Sequence, residues 1–163
     1  MAQTYARHYP IQVRIARFEN CYGPEGTWRG GREKAPAALC RKVAEAKDGD
    51  VIEVWGDGTA IRNFTYVDDM VEGIYRLTQS EIEGAVNLGG DEYVTVSELA
   101  HLVIEISGKQ LGIRYVAGPV GVHSRNFSKE RSRLLNWKAP TTLRAGISRT
   151  YQWIAEQVRQ AHS

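Results

Sequence analysis

The chain has 163 residues, a net charge of +2, 42% hydrophobic and 25% charged residues, which is the composition of one globular domain. So small a charge excess gives no footing for nucleic acid, and no apolar run approaches the ~20 residues that span a bilayer. Cys21 and Cys40 have neither metal-ligand nor disulfide-framework spacing and read as buried free thiols. The first ten residues lack the apolar core of a signal peptide, so a reduced, cytoplasmic setting is expected.

Residues 1–10 read as the tail of a helix or a frayed lead-in. Val13 and Ile15 alternate with Arg14 and Arg17, which predicts a strand over 12–18. A polar, glycine-rich loop follows, broken at Tyr22-Gly23-Pro24 and carrying Trp28, Arg29, Arg32 and Glu33. A helix is predicted over 34–46, with Pro36 in its first turn, where a missing N–H costs nothing. Backbone amides and side-chain cations converge at this helix start, which suits a phosphate-bearing ligand.

A strand over 51–55 ends at Gly56-Asp57-Gly58, read as a hairpin-type turn into a strand over 61–67. Asp68 is placed to cap a helix over 69–79 whose apolar positions are Val71, Ile74, Tyr75 and Leu77. A brief strand covers 85–89. Thr95 and Glu98 form a capping-box pattern for a helix to Ser107, with Gly108 as its C-cap. A strand over 113–116 is stopped by Gly118-Pro119, and an irregular segment runs to Phe127. A short helix starts at Ser128. A last helix over 143–159 carries Leu143, Ile147, Tyr151, Ile154 and Val158 as its buried stripe. No repeat or linker interrupts the chain, so the expectation is one α/β domain over 1–163, with a few short strands packed by about five helices.

Arg17-Phe-Glu-Asn-Cys-Tyr-Gly-Pro24 resembles a segment of the extended short-chain dehydrogenase/reductases, the NAD-dependent sugar-nucleotide epimerases and dehydratases. Gly26-Thr-Trp-Arg-Gly-Gly-Arg-Glu-Lys-Ala-Pro-Ala-Ala38 is more specific and resembles the GDP-mannose 3,5-epimerase branch. The similarity runs on through Trp55-Gly-Asp-Gly58, Arg62-Asn-Phe-Thr-Tyr-Val-Asp-Asp69, Val86-Asn-Leu-Gly89 and Arg125-Asn126, so it covers nearly the whole chain but only the second half of such an enzyme. The resemblance implies an acid/base role on the sugar ring for Lys34. It implies sugar contacts for Asn20 and Glu33, diphosphate contacts for Lys42 and Arg125, and a covering loop formed by Gly26, Trp28 and Gly30-Gly31. Trp55 and Arg62 fall at ligand-proximal positions, while core packing is an equal reading for both Trp28 and Trp55. The ligand it implies is a GDP-mannose-like nucleotide sugar. Two departures fall on that surface. His123-Ser124 stands where the branch has Arg-Gly, and Ala60-Ile61 where it has Gln-Thr.

Two elements of the complete enzymes are missing. No Gly-x-Gly-x-x-Gly turn follows a leading strand, and none of the eight tyrosines has lysine four residues on. No nucleophile elbow or metal-ligand cluster takes their place. The expectation is therefore a truncated epimerase-like protein that keeps part of a nucleotide-sugar site, binds no cofactor or metal of its own, and is not catalytic alone. NAD belongs to the complete family enzyme. Met1, opening the chain where the first half would end, fits a natural truncation or an expressed fragment. Two alternatives stay open: an assembly module that kept the fold and lost the ligand, and one subunit of a split epimerase. In the complete fold the strands at 12–18 and 85–89 lie parallel, and the missing neighbour of 12–18 leaves an open edge. A homodimer through that edge is expected, or a cover formed by residues 1–10.

Overall fold

The computed structural model describes residues 2–118 and 127–161. In chain order the elements are α1 (Ala2–His8), β1 (Ile15–Phe18), β2 (Cys21–Tyr22), α2 (Ala35–Glu45), β3 (Val51–Trp55), β4 (Ile61–Asn63), β5 (Thr65–Tyr66), α3 (Val67–Gln79), β6 (Ala85–Leu88), β7 (Tyr93–Thr95), α4 (Val96–Ser107), β8 (Gly112–Val116), α5 (Glu130–Arg133) and α6 (Leu143–Ala161). The architecture is α/β, as the sequence predicts. The expected parallel pair forms, with β1 beside β6 in a register that matches Ile15 to Ala85 and Phe18 to Leu88.

The remaining strands pair over longer distances than the sequence suggests. β2 runs parallel to β5, β3 runs parallel to β8, and β4 is antiparallel to β7. The turn at Gly56-Asp57-Gly58 is therefore not a hairpin. Gly56 and Gly58 take the left-handed backbone that reverses the chain, but β3 and β4 each pair with a strand from later in the sequence. The predicted strand over 61–67 is likewise broken at Phe64 into β4 and β5, which have different partners.

α2, α4 and α6 pack on one another, α4 also against β3 and α6 against β5. The core there includes Leu39, Val43, Ile52, Val54, Leu99, Val103, Ile147 and Ile154. Leu143, Ile147, Ile154 and Val158 of α6 are buried as expected, and Tyr151 is half-buried. A second core lies under α3 and includes Met70, Leu77, Val86, Leu88 and Trp137.

α3 corrects two readings. It starts at Val67 with Tyr66 at its N-cap, so Asp68 lies inside the first turn and makes no cap. Asp69 is buried and instead accepts hydrogen bonds from the N–H and hydroxyl of Thr141, at 2.9 and 2.8 Å. The buried face carries Met70, Gly73 and Leu77, while Val71 and Tyr75 point to solvent, 58% and 61% exposed. A side chain at Gly73 would meet the Trp137 ring, so this glycine is where the helix is packed most closely.

α4 keeps both of its predicted ends. Thr95 Oγ1 accepts from the Glu98 N–H at 3.1 Å, Glu98 Oε2 accepts from the Thr95 N–H at 2.8 Å, and Gly108 closes the helix at φ +71°. Thr95→Ala removes the side-chain half of this box. It is expected to lower unfolding free energy by about 1 kcal/mol, read as a shift in the urea midpoint with an unchanged slope.

Candidate functional site

The strand alternation that buries Ile52 and Val54 turns Glu53 and Trp55 outward from the core. α2 begins directly across from them, because Lys34 is extended and Pro36 fixes the first turn. Between these elements lies a cavity of about 350 Å³. Six of the sequence-predicted residues line it: Asn20, Glu33, Lys34, Lys42, Trp55 and Arg62. They come from β1's exit, the α2 start, the last turn of α2, the end of β3 and the middle of β4, so the fold alone brings them together. Leu39, Val54, Phe64 and Val96 supply an apolar floor, and the sequence had marked none of these as site residues.

The charges sort themselves by partner. Glu33 accepts from the Gly31 N–H at 2.7 Å and from Arg41 at 3.2 Å. Backbone hydrogen bonds, its own amide and that of Gly31, and the Arg41 guanidinium hold its carboxyl below the usual carboxylate range, against the opposing effect of desolvation. Glu53 accepts from Arg114 at 2.7 Å. Both carboxylates at the cavity thus already have cationic partners. Lys34, Lys42 and Arg62 share this wall with Glu33 and Glu53, so cations outnumber carboxylates in its lining. Lys42 donates to the Glu53 carbonyl at 2.6 Å, and its ammonium lies 5.9 Å from the Trp55 ring centroid. Trp55 is 62% exposed, so it is not a core residue.

Gly26 and Trp28 do not line the cavity. Trp28 packs against the core, with the Arg29 guanidinium 4.9 Å from its ring centroid. Arg125 and His123 lie outside the described residues. Burial raises the Cys40 thiol to about 12. Burial also raises Cys21, with nearby Lys34 opposing the effect. Both thiols are free.

One cluster went unnoticed in the sequence. Glu19 is 1% exposed, and its Oε2 accepts from Asn63 Nδ2 at 2.5 Å and from Lys129 Nζ at 2.7 Å. Asn20, next in the chain, adopts φ +32° and donates from Nδ2 to the Asn63 carbonyl at 3.0 Å. The signal available was a carboxylate lodged between Phe18 and a site asparagine, but Lys129 lies 110 residues away and no local pattern names it.

The fold class implies a dinucleotide, and the residues present do not fit one. The single Gly-x-Gly in the sequence, Gly56-Asp57-Gly58, joins two strands rather than a strand and a helix, and a side chain at Gly58 would meet Tyr115. The close packing is at Gly58 alone, and no helix start follows the turn to receive a pyrophosphate. Among the described residues, no group of three or more His, Cys, Asp or Glu is placed to hold a metal. No helix among them is long and apolar enough to cross a membrane.

The profile described as NAD dependent epimerase/dehydratase family matches residues 1–89. GDP-mannose 3,5-epimerase of Arabidopsis thaliana is 44% identical over 98% of this chain, which spans 42% of that protein's length. A dTDP-4-dehydro-6-deoxy-D-allose reductase of Streptomyces bikiniensis is 31% identical over 98% of the chain and 48% of its own. Among solved structures, UDP-glucose 4-epimerase of Thermotoga maritima superposes with a TM-score of 0.86 at 23% identity, covering 96% of this chain and 50% of that one. That likeness establishes the fold. With the profile matching more than half its length, the chain belongs to the NAD dependent epimerase/dehydratase family.

Proposed function

We propose that the cavity between α2 and β3 binds a nucleoside diphosphate sugar of the GDP-mannose type. We propose too that the 163 residues do not turn it over unless a cofactor-binding portion is supplied from elsewhere. The observation that carries this reading is the convergence of Asn20, Lys34, Lys42, Trp55 and Arg62 on one wall, with the neighbouring carboxylates already paired. Lys42 and Arg62 suit the diphosphate, as cations that grip phosphate oxygens. Trp55 offers an exposed aromatic face to a base. Asn20 and Lys34 are placed for the sugar, with Lys34 as the residue that gives or takes a proton on the ring. The 44% identity to GDP-mannose 3,5-epimerase supports the choice of sugar nucleotide. The lack of a tyrosine–lysine pair and of a strand–glycine turn–helix supports the lack of independent turnover.

A second reading, an assembly module or one subunit of a split epimerase, is favoured by the edge of β1. That strand pairs only with β6 among the described residues. Ile11 before it and Phe18 at its end are 48% and 57% exposed, and no residue of α1 is buried. In the same reading, self-association through this edge makes a twofold dimer.

Calorimetric titration tests the first reading. GDP-mannose and GDP are expected to bind and NAD is not, and Lys42→Ala is expected to weaken GDP about tenfold, the loss of one charge-assisted contact. Binding of NAD, or silence toward all three at millimolar concentration, contradicts it. Sedimentation velocity at micromolar concentration tests the second. A dimer that Phe18→Lys converts to monomer is expected, and a wild-type monomer at that concentration rules out the edge-paired dimer.

A further inference from the structure

We propose that Glu19 is a positioning residue for the cavity, acting through Asn63 to set the amide of Asn20 at its wall. The inference rests on the nucleotide-sugar reading of that cavity and adds a residue to it. Three side chains and two stretches of backbone form a closed circuit. Glu19 Oε2 takes the Asn63 side-chain N–H, the Asn63 main-chain carbonyl takes the Asn20 side-chain N–H, and the Asn20 main-chain carbonyl takes the Thr65 N–H at 3.2 Å. Asn20 and Glu19 are joined by the chain itself. Asn63 also donates to the Gly90 carbonyl at 3.2 Å, so its amide has no freedom to rotate. Its two flanking residues, Arg62 and Phe64, both line the cavity. Lys129 closes the arrangement from the other side, donating to Glu19 Oε2 and, at 2.8 Å, to the Gly90 carbonyl.

The φ of +32° at Asn20 is the reason the circuit is needed. Asparagine tolerates this region better than most residues, but it does not choose it unaided. Bonds to its side chain and to its carbonyl hold it there, and both come from the β4–β5 segment that Glu19 anchors. Gly89 is part of the fit, because any side chain at that position would run into the Glu19 carboxylate. A stability role alone is a poor account of the pair. A buried ion pair contributes little net stability, and an apolar pair of similar volume often serves as well or better. Among the described residues the second Glu19 oxygen has no hydrogen-bond partner, which makes the arrangement costlier still. An apolar pair cannot tether the Asn63 side chain, and so cannot fix the residue whose main-chain carbonyl holds Asn20.

The test uses the 163-residue chain labelled with ¹⁵N, with Glu19→Met/Lys129→Met and Glu19→Asp as variants. The double variant removes both charges together, and Glu19→Asp keeps the charge while drawing the oxygen back from Asn63. Both are expected to shift and broaden the side-chain amide signals of Asn63 and Asn20. GDP-mannose affinity is expected to fall at least tenfold in the double variant and about threefold in Glu19→Asp. The melting temperature of the double variant is expected to stay near that of the wild type. An unmoved Asn20 amide signal in a folded variant, or unchanged affinity, overturns the positioning role. Should the double variant fail to fold, Glu19→Asp decides by the same two readings. Should the wild type take up no GDP-mannose, the nucleotide-sugar reading fails, and the amide signals still decide whether Glu19 positions Asn20.

Discussion

The cavity depends on a break in strand pairing at Glu19–Asn20. Up to Phe18 the chain runs beside β6, and from Cys21 it runs beside β5. Changing partner within two residues forces a bend that extended backbone cannot make, and Asn20 makes it at positive φ. In open parallel sheets, ligand crevices form where strands end and their neighbours diverge. Here that divergence sends one path toward α2 and another toward β6 and the turn after it. Lys34, Trp55 and Arg62 then close around the gap.

Electrostatics follow from the same geometry. Three cations and two carboxylates share the wall, a mixture that by count would be nearly neutral. Glu33 is drawn to the Gly31 amide and Arg41, and Glu53 to Arg114, so the negative charge is met at the rim. The apolar floor of Leu39, Val54 and Phe64 limits water beneath the cations, which strengthens their attraction for an anion. The wall therefore suits a ligand with negative charge at one end and a flat, stackable group at the other.

Much of this was legible because it is local. Pro36 fixes the start of α2, and Thr95, Glu98 and Gly108 fix both ends of α4, whereas the strand reading of Val51–Trp55 left Trp55 open between core and ligand surface. The misreadings share one cause, which is that a local signal does not name a distant partner. Gly56 and Gly58 mark a turn but not the pairing of β3 with β8. Val71 and Tyr75 are apolar, yet the face of α3 that is buried is the one carrying Gly73, where Trp137 packs from beyond α5. Glu19 was invisible as a site residue because its cation, Lys129, is brought to it only by the finished fold. The resemblance to sugar-nucleotide epimerases supplied roles for the cavity residues, and the fold supplied their convergence.

The central claim is that nucleotide sugar enters the cavity beside Trp55, and the indole N–H signals of the four tryptophans test it most directly. On titration with GDP-mannose, the Trp55 signal should move in a saturable way. Trp137, buried under α3, and Trp153, packed against the larger core, should stay in place. A Trp55 signal that does not move at millimolar ligand, or a saturable shift confined to Trp137 or Trp153, would contradict the account.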